Sequence, residues 1–421
     1  MSAAAFPYAS LEASADVSAE MAVRPGSPAH DHLLRRNLRR TLTWQRRQLR
    51  AVLADPLHLN RFERRRFSQT GEDGMLAEIL RRAGETNRCF VEMGSGDGSE
   101  NCTRALLEAG WHGCWIEAEP RYAEAAEAVA GERAVVLRAL VDRDGVAGLL
   151  DSAGVPAEPD VVSVDVDGND HWLWLGIART RRPRVVVIEY NARFPPPVRW
   201  ALPYRSDREW DGSYRHGASL AAMADLGAEL GYRLVGCGSF GANAFFVRED
   251  VAARAARRLP AVAPEDAYWP AAWDPGHFGH PALDLFRNGS LAPGEIEQVV
   301  VTDAVLHTDP MLRVGQPVAF SLSIENRTRN TIAAGGPGGA FAMCDWVPAG
   351  QPGPGDWFRW GGRIQGVIRP GERRLLIGGW RAPDQPGEYV ARVGLGQEPG
   401  GLPSTGTTCH EIPVSVRSWP G

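Results

Sequence analysis

The chain has 421 residues, too many for one ordinary core, so two or three separately packed units are expected. A hydrophobic fraction of 44% with 23% charged residues is that of a globular protein, and a net charge of −5 excludes wholesale coating of nucleic acid. All 46 basic residues are arginine, which excludes a lysine Schiff base or a catalytic lysine amine.

Residues 1–30 are rich in Ala, Ser and Pro, lack periodicity and read as a disordered leader without the basic-then-apolar pattern of a secretion signal. Residues 31–66 form a basic helical segment. Leu33, Leu34, Leu38, Leu42, Leu49 and Val52 recur at helical spacing, and Arg35, Arg36, Arg39, Arg40, Arg46, Arg47 and Arg50 fill the other side. That pattern is either a helix packed on the neighbouring α/β domain with a solvated basic face, or a peripheral contact with an anionic membrane or partner.

Residues 67–255 alternate short apolar runs with amphipathic stretches. The runs at 89–93, 113–116, 134–140, 161–166, 184–188, 232–236 and 243–247 predict strands, and 105–109, 122–130, 145–153, 171–178 and 218–230 predict helices between them. Such alternation predicts a largely parallel, doubly wound sheet covered on both faces. Only a glycine-rich link separates the last two runs, so they are expected to pair as an antiparallel hairpin.

Residues 256–294, rich in Pro, Trp and His, read as a linker. From 295 to 418 the helical period disappears, and β-rich pieces separated by Gly/Pro turns predict an all-β, immunoglobulin-like sandwich. Its Trp346, Trp357, Trp360 and Trp380 offer either a sugar-stacking platform or ordinary core packing. The six cysteines show neither zinc spacing nor a disulfide framework, and no apolar run approaches the ~20 residues of a membrane helix. A cytoplasmic location is the expectation.

The strongest chemical signal is Phe90-Val91-Glu92-Met93-Gly94-Ser95-Gly96-Asp97-Gly98, a buried strand running into a turn with alternate glycines. A second strand ends about twenty residues later in Trp115-Ile116-Glu117, whose carboxylate can accept both ribose hydroxyls of an adenosine group. Dinucleotide sites carry GxGxxG, whereas the glycines here make GxGxG after an acidic residue. Glu92 suits the amino-acid end of S-adenosylmethionine and sits badly with a pyrophosphate. The expected cofactor residues are therefore Glu92, Gly94, Gly96, Asp97, Gly98 and Glu117.

The stretch from Phe90 through Gly94, Asp97-Gly98, Asn101, Thr103, Gly110-Trp111-His112-Gly113, Ile116-Glu117 and Pro120 resembles FkbM-type methyltransferases. The resemblance continues through Asp165-Val166-Asp167-Gly168 and Ile188-Glu189-Tyr190-Asn191, and ends at Asn243-Ala244-Phe245-Phe246-Val247. It covers roughly residues 67–248. It implies a Rossmann-like methyltransferase fold, S-adenosylmethionine as cofactor, and methyl transfer to a hydroxyl, often of a sugar or polyketide. In this chain Asp167 stands where the family more often has Glu.

Asp165 and Asp167, at the carboxyl end of a central strand, are candidate bases or substrate-positioning groups. A Mg²⁺ site drawing on Asp165 or Asp167 with Asp170, Glu189 or Asn191 is the less favoured reading, and turn chemistry that caps the next helix is a third. Glu189, Tyr190 and Asn191 are expected to face the same crevice as substrate contacts, and His216 is a further acid–base candidate. The segment Ser68-Gln69-Thr70-Gly71-Glu72-Asp73-Gly74 either closes over the cofactor or caps a helix.

An O-methyltransferase with a hydroxyl-bearing, carbohydrate acceptor is the leading expectation. Asp165-Val166-Asp167 also spells the DxD of nucleotide-sugar glycosyltransferases, which leaves the Gly-rich turn without a job. A non-catalytic binding protein of a surface-glycan assembly is the third reading.

Overall fold

The structure is a computed structural model and describes residues 27–208, 210, 216–255, 258–273, 299–308, 311–328, 332–333, 340–350, 362–363, 367–397 and 409–420. The expected leader, most of the linker after 273, and Trp357 and Trp360 lie outside the described residues. Contacts divide the described chain into two compact units: residues 55–269, and the helix Pro28–Ala54 with residues from 270 onward.

The first unit is a seven-stranded sheet. Its strands are β1 (Cys89–Met93), β2 (His112–Glu117), β3 (Ala134–Arg138), β4 (Val161–Val164), β5 (Val185–Glu189), β6 (Tyr232–Cys237) and β7 (Asn243–Arg248), in the order β3-β2-β1-β4-β5-β7-β6. All neighbouring pairs from β3 to β5 are parallel, and β7 runs antiparallel to both β5 and β6. Strands β1, β4, β5 and β7 are buried along their whole length. A sheet covered on both faces needs continuous rather than alternating apolar sequence, and Val185-Val186-Val187-Ile188 is such a run.

Aromatic packing locks the covering helices to the sheet. On one face Phe90 and Trp115 (ring centroids 6.2 Å apart) join Leu107, Val161, Val187 and Phe245 in a single core. On the other, Trp174 of the helix Asp170–Ile177 packs on Phe246 at 4.8 Å and Tyr232 at 5.5 Å. The helix Leu220–Glu229 sits equally close to Phe246: a Cβ on Gly227 would fall 2.9 Å from its ring.

This unit extends beyond the boundaries read from sequence. At its start Leu59 and Asn60 are buried. At its end Leu259, Tyr268 and Trp269 are buried, so residues 258–269 belong to the α/β unit rather than to a linker. Trp269 Nε1 donates to Asn60 Oδ1, and the Tyr268 hydroxyl donates to the Ala192 carbonyl.

In the second unit β8 (Val299–His307), β10 (Pro317–Asn326) and β15 (Arg373–Arg381) form one antiparallel sheet with β10 central. A five-stranded sheet contains β9 (Met311–Arg313), β12 (Ala340–Pro348), β13 (Gly362–Arg363), β16 (Gly387–Gln397) and β17 (Cys409–Arg417), in the order β13-β12-β16-β17-β9. β11 (Ile332–Ala333) pairs with β14 (Val367–Ile368). The two larger sheets face each other: β12 packs on β15, and β16 and β17 pack on β8. Trp346 Nε1 crosses between them to the Arg381 carbonyl at 2.8 Å, and Trp346 and Trp380 are both buried. These two indoles are core, not a platform open to sugar.

The helix Pro28–Ala54 also belongs to this unit. Its apolar stripe, left to the α/β domain by the sequence reading, is covered instead by β10 and β15: Leu34 and Leu38 pack against Ala319, Leu375 and Ile377. All six cysteines are unpaired with one another, and only Cys409 is not fully buried. Among the described residues no helix is long and apolar enough to cross a membrane.

Candidate functional site

The connections after β1 run outward in one direction and those after β4 in the other, so the crevice beyond the carboxyl ends of β1 and β4 is the topological switch point. The turn after β1 enters it. Gly94, Gly96 and Gly98 all have positive φ (76°, 58° and 76°). They differ in what surrounds them. A Cβ on Gly94 would lie 1.6 Å from the Asp165 carbonyl oxygen, and one on Gly98 would lie 3.0 Å from the Trp115 ring. A Cβ on Gly96 would meet nothing within 4 Å, so there the turn is open on one side.

Glu117, at the end of β2, turns its carboxylate onto this loop. Oε2 accepts from Gly96 N and Oε1 from Glu119 N, each at 2.8 Å. Two backbone donors on two oxygens fix its orientation and leave further lone pairs for a ligand.

Glu92, expected at the amino-acid end of the cofactor, has its carboxylate bonded to the chain itself. Its oxygens accept from Cys102 N (2.8 Å), Thr103 N (2.9 Å) and Thr103 Oγ1 (2.6 Å), while Trp115 Nε1 donates to Thr103 Oγ1 at 2.8 Å. The carboxylate thus clamps the start of the helix Arg104–Glu108 to the end of β1. Burial pushes its pKa up to about 7 against those hydrogen bonds. The amide of Asn101, next to the clamped residues, is buried with neither polar atom hydrogen-bonded, as is Ser95 Oγ in the turn. Asp97 is exposed, and its Oδ1 accepts from Ser99 N and Ser99 Oγ, an Asx-type turn bond.

Opposite the loop, β4 runs into Asp165, whose N–H donates to the Met93 carbonyl at 3.0 Å. Asp167 is exposed at φ 55°, a strained conformation for a non-glycine residue. Asp170 is fully buried and turns back on its own loop, accepting from Val166 N (2.8 Å) and Gly168 N (2.9 Å). The turn chemistry therefore belongs to Asp170, while the helix that it opens has no side-chain cap.

Carboxylate oxygens of Asp165, Asp170 and Glu189 lie within 4.8 Å of one another. His216 Nδ1 is 3.6 Å from Glu189 Oε2, and Asp167 is near enough to feel both His216 and Glu117. Burial, reinforced by mutual repulsion, pushes Asp165 and Glu189 well above the usual carboxylate range and Asp170 up to about 6.

The three residues after Ile188 do not share one role. β5 ends at Glu189, and beyond it Tyr190 enters the core while Asn191 meets the His216 segment. Tyr190 is fully buried and donates its hydroxyl to the Trp269 carbonyl at 2.7 Å. It is a core residue, not a substrate contact. Asn191 Nδ2 donates to the His216 carbonyl (2.9 Å) and its Oδ1 accepts from Arg193 N, so it holds the His216 backbone in place.

Two acids of the entry segment, Glu72 and Asp73, also act in this region. Asp73 accepts from the amides of Arg66, Phe67 and Ser68, each at 2.8 Å, and Glu72 accepts from Thr70 and from Asn243 Nδ2 at the start of β7. The helix Glu72–Ala83 is capped by Gly71 without a side-chain bond, so Asp73 organises the entry segment and does not cap. Glu72, Glu92, Asp165 and Asp73 all act on the buried Cys102 thiol and, with its burial, raise its pKa well above normal.

No protein-family model matches the chain, and no curated protein sequence does either. Among solved structures it is similar to mitomycin 7-O-methyltransferase MmcR, with 18% identity and a TM-score of 0.26 over 42% of this chain and 54% of that one. A putative O-methyltransferase from Klebsiella pneumoniae shows 17% identity and a TM-score of 0.28, covering 56% of this chain and 97% of the other. An O-methyltransferase from Bacillus cereus in complex with SAH shows 16% identity and a TM-score of 0.28, covering 54% and 93%. The chain spans about half the length of MmcR, 54%.

Proposed function

We propose that this protein is an S-adenosylmethionine-dependent O-methyltransferase whose acceptor is a hydroxyl of a glycan or glycolipid intermediate. The observation that carries the reading is the charge around the glycine turn. The strongest charges acting on Cys102, Asp165 and Glu189 are all acidic. A pyrophosphate brought to this crevice would be repelled. A cofactor bearing a sulfonium and an ammonium is attracted.

In this reading Glu117 accepts the ribose hydroxyls and the open side of Gly96 takes the adenosine. The amino-acid end lies toward Asn101 and Ser95, where buried polar atoms lack partners. Glu92 acts indirectly, by holding Cys102 and Thr103. The cofactor, when bound, supplies an electrophilic methyl group for in-line displacement.

The acceptor hydroxyl approaches from the acidic side of the crevice. There His216, whose Nδ1 lies 3.6 Å from Glu189 Oε2, accepts its proton, and Asp165 and Asp167 position it. The rest of catalysis is alignment and exclusion of water, which needs no fixed triad. The second unit, which we read as an immunoglobulin-like sandwich, contributes to choosing the acceptor.

The close grouping of Asp165, Asp170 and Glu189 favours one second reading, in which a divalent cation held by their oxygens binds the acceptor. Methyl incorporation that survives chelation excludes it.

Calorimetric titration with S-adenosylmethionine, S-adenosylhomocysteine and NAD⁺ tests the main reading. The first two are expected to bind and NAD⁺ is not. Binding of NAD⁺, or of none of the three, overturns it.

A further inference from the structure

We propose that the exposed face of the helix Pro28–Ala54 is a docking surface for a bilayer rich in anionic lipid. Arg35, Arg39, Arg46 and Arg50 are all exposed, and none forms an ion pair among the described residues, although the Asp31 charge acts on Arg35 at longer range. Arg36 and Arg40 widen the same basic face. The only acidic residue of the helix is Asp31, in its first turn. The chain as a whole is anionic, at −5, so this strip is a local inversion of sign and would orient the protein on a negative surface.

Stability of the helix does not explain the pattern. A solvated helix face ordinarily alternates acids and bases four residues apart. Here Arg35 and Arg39, Arg36 and Arg40, and Arg46 and Arg50 are like-charged pairs at that spacing, each of which weakens a helix.

The mode of docking follows from what covers the other face. Leu34 and Leu38 are buried on Ala319, Leu375 and Ile377, so the apolar stripe is not available for insertion between lipids. What remains is a flat array of guanidinium groups running roughly 22 Å from Arg35 to Arg50 at 1.5 Å per residue. Contact is therefore electrostatic and superficial, strongly dependent on salt and indifferent to bilayer curvature. The net charge of −5 gives the rest of the chain no attraction for a long polyanion that would extend past this strip, so a lipid surface met by the strip alone suits the protein better than a duplex.

The test is flotation of the full chain with vesicles of pure phosphatidylcholine and with vesicles containing phosphatidylglycerol. Binding is expected only to the second, and is expected to be lost as salt is raised. Replacing Arg35, Arg39, Arg46 and Arg50 together by Gln should weaken binding about fivefold per arginine, several hundredfold in all. The matching set of Lys substitutions should retain it. These side chains are exposed, so the helical circular dichroism of both variants should match the parent. Equal binding to both vesicles, or unchanged binding of the Gln variant, overturns the proposal. So does binding to heparin or duplex DNA without binding to vesicles, which would assign the face to a soluble polyanion.

Discussion

Replacement of Glu117 by Gln gives the sharpest test of how the switch-point crevice holds its ligand. The carboxylate accepts from Gly96 N and Glu119 N, both at 2.8 Å, one donor on each oxygen. An amide keeps one oxygen and places an NH₂ against the other N–H, so one charge-assisted bond is lost and the turn loosens. It also offers one acceptor fewer to a pair of ribose hydroxyls. A hydrogen bond to a charged group contributes about 1.5–3 kcal/mol. Binding of S-adenosylhomocysteine should therefore weaken by roughly 10- to 150-fold. Asp97→Asn is the matched control, because Asp97 is exposed and bonded only to Ser99 of its own turn, and its affinity should stay close to the parent's. Isothermal titration with S-adenosylhomocysteine, alongside a thermal melt, measures both. If Glu117→Gln binds as tightly as the parent while Asp97→Asn does not, the assignment of the two carboxylates is wrong.

The remaining expectations concern the loop, the base and the buried acids. Gly94→Ala drives a Cβ to 1.6 Å from the Asp165 carbonyl at a positive φ and should cost several kcal/mol of stability, whereas Gly96→Ala adds a milder cost of about 1–3 kcal/mol for its φ alone. Urea unfolding that ranks Gly96→Ala as the worse of the two refutes the packing argument. His216→Ala should lower methyl incorporation from labelled cofactor into a cell-envelope extract by about 10²–10⁴-fold and leave S-adenosylhomocysteine affinity unchanged. A parallel loss of affinity would place His216 in cofactor binding instead. The pKa values of Asp170 (about 6) and Glu92 (about 7) are raised by folding, so their stabilising contribution is full below about pH 4 and is lost as pH rises to about 7. Bound S-adenosylmethionine, being cationic, should therefore raise the melting temperature more at about pH 8 than at about pH 5; the opposite order would contradict the acidic crevice.

Much of the α/β unit was legible because parallel strands buried on both faces leave an unbroken apolar signature, as in Val185-Val186-Val187-Ile188. The Gly94–Gly98 turn was legible because its backbone conformation demands glycine. Three features were not. Residues 258–269 look like a Pro-rich linker, yet Leu259, Tyr268 and Trp269 bury deeply; large aromatics inside a proline-rich stretch were the available signal. Tyr190 adjoins Glu189 and Asn191 in sequence, yet what makes it core is its bond to the Trp269 carbonyl, a contact from far along the chain. The commitments of Glu92 to Cys102 and Thr103, and of Asp170 to Val166 and Gly168, depend on how irregular loops return to the strand ends. No local pattern encodes that. The apolar stripe of the first helix was plain in the sequence, but a stripe does not name the surface that covers it, here β10 and β15.

The acids at the switch point fall into two groups with opposite consequences. Glu92, Asp73 and Asp170 spend their oxygens on backbone amides, so their negative charge is a by-product of holding three loops in place. Asp165 and Glu189 have no comparable set of backbone donors, and their ionised forms are correspondingly disfavoured. Holding these carboxylates together in one crevice is costly unless something positive joins them. His216 is too peripheral to balance all of them, since it sits beside Glu189 and Asp167. On the proposed function, a cationic cofactor would relieve the repulsion from the turn side, and a proton taken from the acceptor would relieve it from the other. On the proposed function, the same crowding that would repel a dinucleotide would attract a sulfonium.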